Sequence, residues 1–323
     1  MSSTILQALV FNVRHEAPGI VSVELRPVAP ATAFPTVEAG AHIDLHLAPG
    51  LVRSYSLINP GDSHRYVVAV LKDRASRGGS RHVHEQLRVG QVITVGAPRN
   101  HFRLDETAPR SVLLAGGIGI TPVYAMLQRL ASLQRPAHLI YCARNRADAA
   151  FVADIQSLVL ASGASLSVRF HFDDEHGAPP DLVQLLGGEA KDTHFYCCGP
   201  GPMLDAYESA CEQLGQANVH MERFAAAKQP AAAATAGYCV ELRKSGRTIQ
   251  VAPGVALLDA LLDAGLNPEF SCREGVCGAC ETRVISGDVD HRDHLLTHQE
   301  HAANKTMMIC VSSCRSGSLV LDA

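Results

Sequence analysis

Apolar positions along the chain follow two rhythms. Up to about residue 105 they alternate with polar ones over short stretches, as at 42–47, 66–71 and 92–95, with Gly and Pro breaking the pattern at short intervals. Period-two alternation buries one face of a strand, and many short strands between turn residues predict a small antiparallel barrel. The opening residues, 1–14, alternate in the same way and lack a basic start, so they read as a strand and not as a leader. After a change of pattern at 105–110, apolar strands are expected at 112–115, 139–143, 166–172, 194–198 and 219–224. Helical patterns lie between them at 122–133, 149–160, 181–186 and 202–214. Strand followed by helix, repeated, predicts a parallel doubly wound α/β sheet with its ligand at the carboxyl ends of the strands. The periodicity stops at 225–237, AAAKQPAAAATAG, which reads as a linker. A small separate domain follows. The expected division is therefore 1–105, 106–226, a linker at 227–236, and 237–323.

Composition changes this picture little. At 323 residues the chain suits two or three domains, and 47 % hydrophobic with 19 % charged residues is ordinary for a globular protein. A net charge of −4 leaves no basic footprint for nucleic acid. Residues 111–128 run 18 positions without charge, long enough to raise a membrane span, but Gly116, Gly117, Gly119 and Pro122 punctuate them as strand, turn and helix start. The expectation is a soluble cytoplasmic protein, outside the membrane. Charge is uneven along it. Residues 1–105 carry 8 acidic and 11 basic side chains, and residues 238–323 carry 11 acidic and 8 basic.

Ten cysteines are the unusual feature. A chain this long does not need disulfides for stability. Cys272, Cys277 and Cys280 are spaced C-x4-C-x2-C, and Cys310 follows after 29 residues. Zinc sites usually present two C-x2-C-like pairs; three thiolates in one loop plus a distant fourth match a plant-type [2Fe-2S] centre. Gly275 and Gly278 let the loop wrap closely and aim N–H groups at sulfur. Zinc and plain buried thiols remain the alternatives. The cysteines at 142, 197, 198, 211 and 239 fall in strands or helices and read as small core residues. Cys314, four residues after Cys310, is the one competing ligand, and the usual spacing favours Cys310. His291, His294, His298 and His301 read as a polar surface loop, with a metal site as the alternative.

Two glycine turns follow strands of the expected parallel sheet. Gly116-Gly117-Ile118-Gly119-Ile120-Thr121-Pro122 opens a helix, with glycines for close approach of a pyrophosphate, Thr121 as a cap and Pro122 at the first helical position. Cys198-Gly199-Pro200-Gly201-Pro202 sits after a later strand. Both would face one ligand edge, which favours a nicotinamide dinucleotide over two structural turns. Arg144 and Arg146, after the second strand, are candidates to grip a 2′-phosphate. In the barrel, Arg53 and Tyr55 share one face of a strand and Ser54 and Ser56 the other. A flavin would use such a pair, and a surface Arg beside a core Tyr explains the same letters. Arg77-Gly78-Gly79-Ser80, a glycine turn with Ser80 as a cap, adds a phosphate-type site before a helix.

With these motifs assembled, the chain resembles the phthalate dioxygenase reductase family, and within it the vanillate O-demethylase reductases. RSYSL, RGGS, AGGIGITP, YCARNRA, CCGPGPM, SCREGVCGAC and CVSSC carry the resemblance over essentially the full length. It implies a flavin-binding barrel, a ferredoxin-reductase-like NAD domain and a C-terminal β-grasp ferredoxin domain, in that order. It also implies the cofactors FMN, NADH and a [2Fe-2S] cluster, a transient terminal oxygenase partner with a Rieske centre, and a monomer. Arg53, Gly79 and Ser80 would hold the FMN phosphate, and Ser54, Tyr55, Ser56 and Leu57 would lie along the flavin, with Ser56 at its N5 edge. Gly116, Gly117, Gly119, Thr121, Cys198, Gly199 and Pro200 would hold NADH, with Cys198 near the nicotinamide. Phe224, in MERF, matches the aromatic beside the flavin. Cys272, Cys277, Cys280 and Cys310 would hold the cluster. The doubled Cys197-Cys198 and the presence of Cys314 depart from the family pattern. An FAD-dependent reductase for a di-iron oxygenase or a hybrid-cluster protein, and a slow flavin/iron-sulfur redox sensor, are the competing readings.

Overall fold

The computed structural model describes residues 5–29, 32–74, 76–224, 237–296 and 298–323, with the backbone alone at 298 and 299. The expected linker at 227–236 lies outside them. The chain forms two compact units, Met1–Glu222 and Arg223–Ala323.

The first unit opens with strands β1 (Ile5–Ala17), β2 (Ile20–Pro27), β3 (His42–Ala48), β4 (Leu51–Ser56) and β5 (Tyr66–Leu71), then helix α1 (Gly79–Glu85) and strand β6 (Val92–Gly96). They form one antiparallel sheet in the order β4-β3-β6-β1-β2-β5. A bridge between Leu57 and Val68 joins its two ends, so the sheet curls shut around Val23, Leu25, Ile43, Leu45 and Val95. Closure removes the open edges that an antiparallel sheet otherwise exposes.

The same unit continues through β7 (Ser111–Gly116), α2 (Ile120–Ser132), β8 (Ala137–Ala143), α3 (Val152–Ala161), β9 (Leu166–Phe172), α4 (Asp173–His176), α5 (Leu182–Leu186), β10 (His194–Cys198), α6 (Gly201–Gln213) and β11 (Val219–Glu222). The five strands are parallel in the order β11-β10-β7-β8-β9. Residues 111–128 thus resolve into strand, 3-10 turn and helix, and no helix among the described residues is long and apolar enough to cross a membrane. Apolar packing runs across the seam near residue 105. Ala17, Ile20, Ala39 and Phe102 from the barrel side join Leu113, Val123 and Tyr141 in one core. Phe102 meets Tyr196 edge-on at 5.9 Å, and the Asp105 N–H donates to the Tyr196 hydroxyl at 2.8 Å. Burying one such aromatic is worth roughly 1.5–3 kcal/mol, which explains why barrel and parallel sheet form one unit.

The second unit comprises β12 (Tyr238–Leu242), β13 (Arg247–Val251), α7 (Leu257–Asp263), β14 (Glu281–Ser286), β15 (Val289–Asp290), α8 (His298–Ala303), β16 (Thr306–Met308), β17 (Ser313–Cys314) and β18 (Ser318–Leu321). Its mixed sheet runs β13-β12-β18-β14-β16, with β12 and β18 parallel and the other pairs antiparallel, and β15 pairs with β17 apart from it. Leu257, Leu258 and Leu261 of α7 pack against Val240, Val251 and Leu319, so one short helix covers the sheet. Between α7 and β14 the chain is a long loop without regular structure, and that loop carries three of the cysteines.

Candidate functional site

The loop gathers its thiols by backbone geometry. Gly275 and Gly278 sit at φ +67° and +70°, and Arg273 shares that left-handed region at +59°. A side chain at Gly275 would fall 2.6 Å from Val311 and 3.0 Å from Asp293 Cα, so only glycine fits where the loop crosses the residues after Cys310. Cys277, Cys280 and Cys310 are buried and Cys272 is half-buried. Cys272 hydrogen-bonds to both Cys277 and Cys310, and Cys280 hydrogen-bonds to Cys310, so the four sulfurs converge. The Glu274 N–H donates to Cys272 Sγ at 3.3 Å and the Cys272 N–H to Cys277 Sγ at 3.5 Å. Hydrogen bonds from Cys277 and Cys310 hold the Cys272 thiol well below the usual thiol range. Four free thiols, no disulfide and N–H groups aimed at sulfur make a donor set that fits an iron-sulfur centre. Cys314 stands apart on β17, opposite Val289, with its Sγ 3.5 Å from Ser316 Oγ.

At the carboxyl edge of the parallel sheet the two glycine turns pack against each other. β7 lies beside β10, with Ala115 opposite Cys198. A Cβ at Gly116 would stand 2.8 Å from Pro200 and 3.3 Å from Gly199, and one at Gly119 would collide with the Cys198 carbonyl. Gly117, at φ +54°, has nothing within 4 Å of its missing side chain, so that face of the turn is open to an incoming group. Thr121 does not cap the helix. α2 starts at Ile120 with Gly119 as its N-cap, and the buried Thr121 hydroxyl donates to the Ile118 carbonyl at 3.0 Å, bracing the turn from below. Pro122 is consequently the third helical residue and not the first.

Cys198 is fully buried, and burial, the Glu222 carboxyl and Cys197 push its thiol well up, so it is a neutral S–H. Glu222 lies opposite it on β11. Its Oε2 is buried without a hydrogen-bond partner among the described residues, and burial pushes the carboxyl up to about 8. Sequence reasoning overlooked Glu222. The signal was present as a lone acid at the end of the last strand of the sheet, in MERF. Arg146 is not free to grip a phosphate: it forms a two-pronged bond to Glu175 at 3.0 Å and lies 4.5 Å over the Phe172 ring.

In the barrel, the Arg53 side chain crosses Gly79, where any Cβ would strike its Cγ, and donates to the carbonyls of Val52 and Arg77, both at 2.7 Å. Ser80 is also not a cap. Gly78, at φ +95°, takes the N-cap place and makes no side-chain bond. The Ser76 hydroxyl oxygen, which sequence reasoning missed, collects the N–H groups of Gly78 at 3.2 Å and Arg81 at 3.3 Å and the Ser80 hydroxyl at 3.0 Å. Three donors converging on one oxygen beside Arg53 fit a phosphate oxygen equally well. Ser54 turns to β3, where its hydroxyl donates to Asp44 at 2.7 Å, and Asp44 also takes Arg99 at 2.8 Å. Ser56 and Leu57 are buried at the end of β4. Burial pushes the Tyr55 phenol up to about 12, against the pull of Arg53, so it stays neutral. Phe224 falls with the second unit and is 42 % exposed.

Comparison with known proteins matches these regions to described families. Residues 113–209 match an oxidoreductase NAD-binding domain and residues 240–315 a 2Fe-2S iron-sulfur cluster binding domain. The chain is 46 % identical to phenoxybenzoate dioxygenase subunit beta of Ectopseudomonas oleovorans, over 97 % of this chain and 96 % of that protein. It is 41 % identical to a vanillate O-demethylase oxidoreductase of a Pseudomonas species, covering 98 % and 99 %. Among solved structures, phthalate dioxygenase reductase superposes with TM-score 0.70 at 32 % identity, covering 99 % of this chain and 98 % of that one. An intact type IV self-sufficient cytochrome P450 monooxygenase superposes with TM-score 0.89 at 37 % identity; 99 % of this chain spans only 41 % of that one.

Proposed function

Because this chain belongs to the phthalate dioxygenase reductase family, we propose that it is the reductase component of an aromatic-ring oxygenase or O-demethylase system. In this reading it carries electrons from NADH through FMN and a [2Fe-2S] cluster to a separate Rieske-type terminal oxygenase. The observation that carries the proposal is the pairing, in one chain, of a dinucleotide-type glycine edge with four converging thiols. Reduced nicotinamide gives up two electrons together and an iron-sulfur centre takes one at a time, so a bound flavin supplies the conversion between them.

The residues do the rest by position and exclusion. Cys272, Cys277, Cys280 and Cys310 would ligate the cluster, and the N–H groups on their sulfurs would favour its reduced, more negative state. Arg53 and Ser80 would grip the FMN phosphate together with the Gly78 and Arg81 N–H groups, and Gly79 leaves room for Arg53. Neutral Tyr55 would lie along the flavin ring, with buried Ser56 and Leu57 closing the site to water. For NADH, Gly116, Gly117 and Gly119 permit close approach of the pyrophosphate, Thr121 braces their turn, and Gly199 and Pro200 complete the edge. Cys198 would lie near the nicotinamide, behind the glycine edge, as an uncharged thiol, which adds no charge near a ring that becomes cationic on oxidation. Phe224 is assigned beside the flavin by family pattern. No side chain is asked to act as acid or base, because positioning alone lowers the barrier for this transfer. The net −3 of residues 238–323 would steer the cluster-bearing unit to a basic patch on the oxygenase. A monomer working in the reducing cytoplasm completes the proposal.

The test is flavin released by acid from purified protein and identified by chromatography, with cytochrome c reduction by NADH measured in parallel. FMN and iron-dependent cytochrome c reduction are expected. FAD would instead favour a reductase for a di-iron oxygenase or hybrid-cluster protein, and failure of NADH to reduce both centres within seconds would favour a redox sensor.

A further inference from the structure

We propose that His291, Asp293 and His301 form a second metal site, for one divalent transition ion of the zinc class, separate from the thiol centre. The three come from different segments of the C-terminal unit. His291 follows β15, Asp293 lies in the next loop and His301 is on α8. His301 Nε2 stands 3.2 Å from each Asp293 oxygen, and His291 Nδ1 stands 3.6 Å from Asp293 Oδ1. The three ligand atoms lie within 4.8 Å of one another. Tetrahedral zinc with bonds of ~2.0–2.1 Å separates neighbouring ligands by ~3.3–3.4 Å, so two of the three pairs already have the required spacing.

His291 is the observation that plain hydrogen bonding leaves unexplained. Its side chain is 7 % exposed and that of Asp293 is 0 % exposed. Neither ring nitrogen of His291 makes a hydrogen bond of full geometry among the described residues; the Asp293 carboxylate, at 3.6 Å, and the Asn304 side chain are the polar groups it approaches. Buried polar groups in folded proteins are nearly always satisfied, so an imidazole stripped of water and held against a carboxylate implies a missing partner. The two imidazoles stack with centroids 4.5 Å apart and planes 20° apart, and both present nitrogen to the same carboxylate. That carboxylate is oriented from behind: Leu295 and Leu296 N–H groups donate to its Oδ2, at 3.3 and 2.8 Å, which leaves Oδ1 for an ion. Two imidazoles and one carboxylate select zinc and its transition-metal neighbours over magnesium or calcium, and a water would complete the shell. The expectation of a polar surface loop therefore does not describe His291. The site also touches the cysteine loop, because the His294 N–H donates to the Gly275 carbonyl at 3.0 Å and Gly275 packs on Asp293. An ion here would pin that loop from its outer side.

The full-length holoprotein, freed of loose metal by a chelating column, is titrated with Zn(II) against a chromophoric chelator, with zinc and iron counted by plasma mass spectrometry. One zinc per chain is expected, with iron content unchanged. His301→Ala and His291→Phe should each weaken it by about tenfold or more, and Cys314→Ser should not. His301 is partly exposed, so His301→Ala carries the test if His291→Phe loses its cluster. Absence of tight zinc, equal binding by His301→Ala, or zinc uptake matched by iron loss would each overturn the proposal.

Discussion

Replacing Glu222 by Gln should change how the stability of the protein depends on pH. The carboxyl ordinarily titrates near 4.5, and burial lifts it to about 8 in the folded chain. Between those two values the folded state holds a proton that the unfolded state has released, so stability falls as pH rises and levels off above pH 8. Each unit of pH inside the window is worth ~1.4 kcal/mol, which makes the loss between pH 6 and pH 8 about 2 to 3 kcal/mol for this one group. In a unit of this size that corresponds to roughly 5 to 10 °C in melting temperature. Gln keeps the shape and cannot ionise. Thermal melts of wild type and Glu222→Gln, followed by flavin release at pH 6 and pH 8, should converge at the lower pH and separate at the higher, with the variant more stable. Parallel pH dependence in the two proteins would refute the reasoning, because it would mean that Glu222 is solvated or paired in the folded state.

Three further outcomes follow from the same geometry. Cys310→Ser should lose iron and NADH-driven cytochrome c reduction while keeping flavin and NADH-driven ferricyanide reduction, whereas Cys314→Ser should keep all of them; equal iron loss in both would misplace the fourth ligand. NADH should exceed NADPH in kcat/KM by about tenfold or more, ~1.4 kcal/mol, because Arg146 is spent on Glu175 and Phe172 and the acidic run Asp173–Glu175 repels a 2′-phosphate; comparable values would show that another cation receives it. Coupled turnover with the partner oxygenase should slow as ionic strength rises, since the 11 acidic and 8 basic residues of 238–323 act at long range; indifference to salt would remove electrostatic steering from the account.

Local pattern carried most of the elements. The strands at 66–71, 166–172 and 194–198 are readable to the residue, because alternation or an apolar run sits between clear turn residues. Helix starts were less so. The helix expected from Pro122 begins at Ile120, and glycines take the cap places that residue type alone assigns to Thr121 and Ser80, since a cap depends on φ/ψ. The cysteine spacing was legible because a loop must return to one centre at fixed intervals. Ser76 and Glu222 are not legible, and of the His291, Asp293, His301 cluster only the histidines are, as the alternative to a polar surface loop. Each acquires meaning only from a neighbour brought by folding: the N–H groups of Gly78 and Arg81, the buried Cys198 opposite β11, and the loop of Gly275. The seam near 105 was visible as a change of rhythm, but no change of rhythm could reveal that Phe102 and Tyr196 knit both sides into one core.

On the proposed function, electrons pass from NADH to flavin and from flavin to the thiol-held cluster within this one chain. Anaerobic rapid mixing of the holoprotein with NADH, read by flavin absorbance and by electron paramagnetic resonance of freeze-quenched samples, tests it directly. Flavin bleaching followed within seconds by the signal of a reduced [2Fe-2S] cluster is the predicted result. A cluster that stays oxidised after the flavin is bleached, or one reduced with the flavin absent, would contradict it.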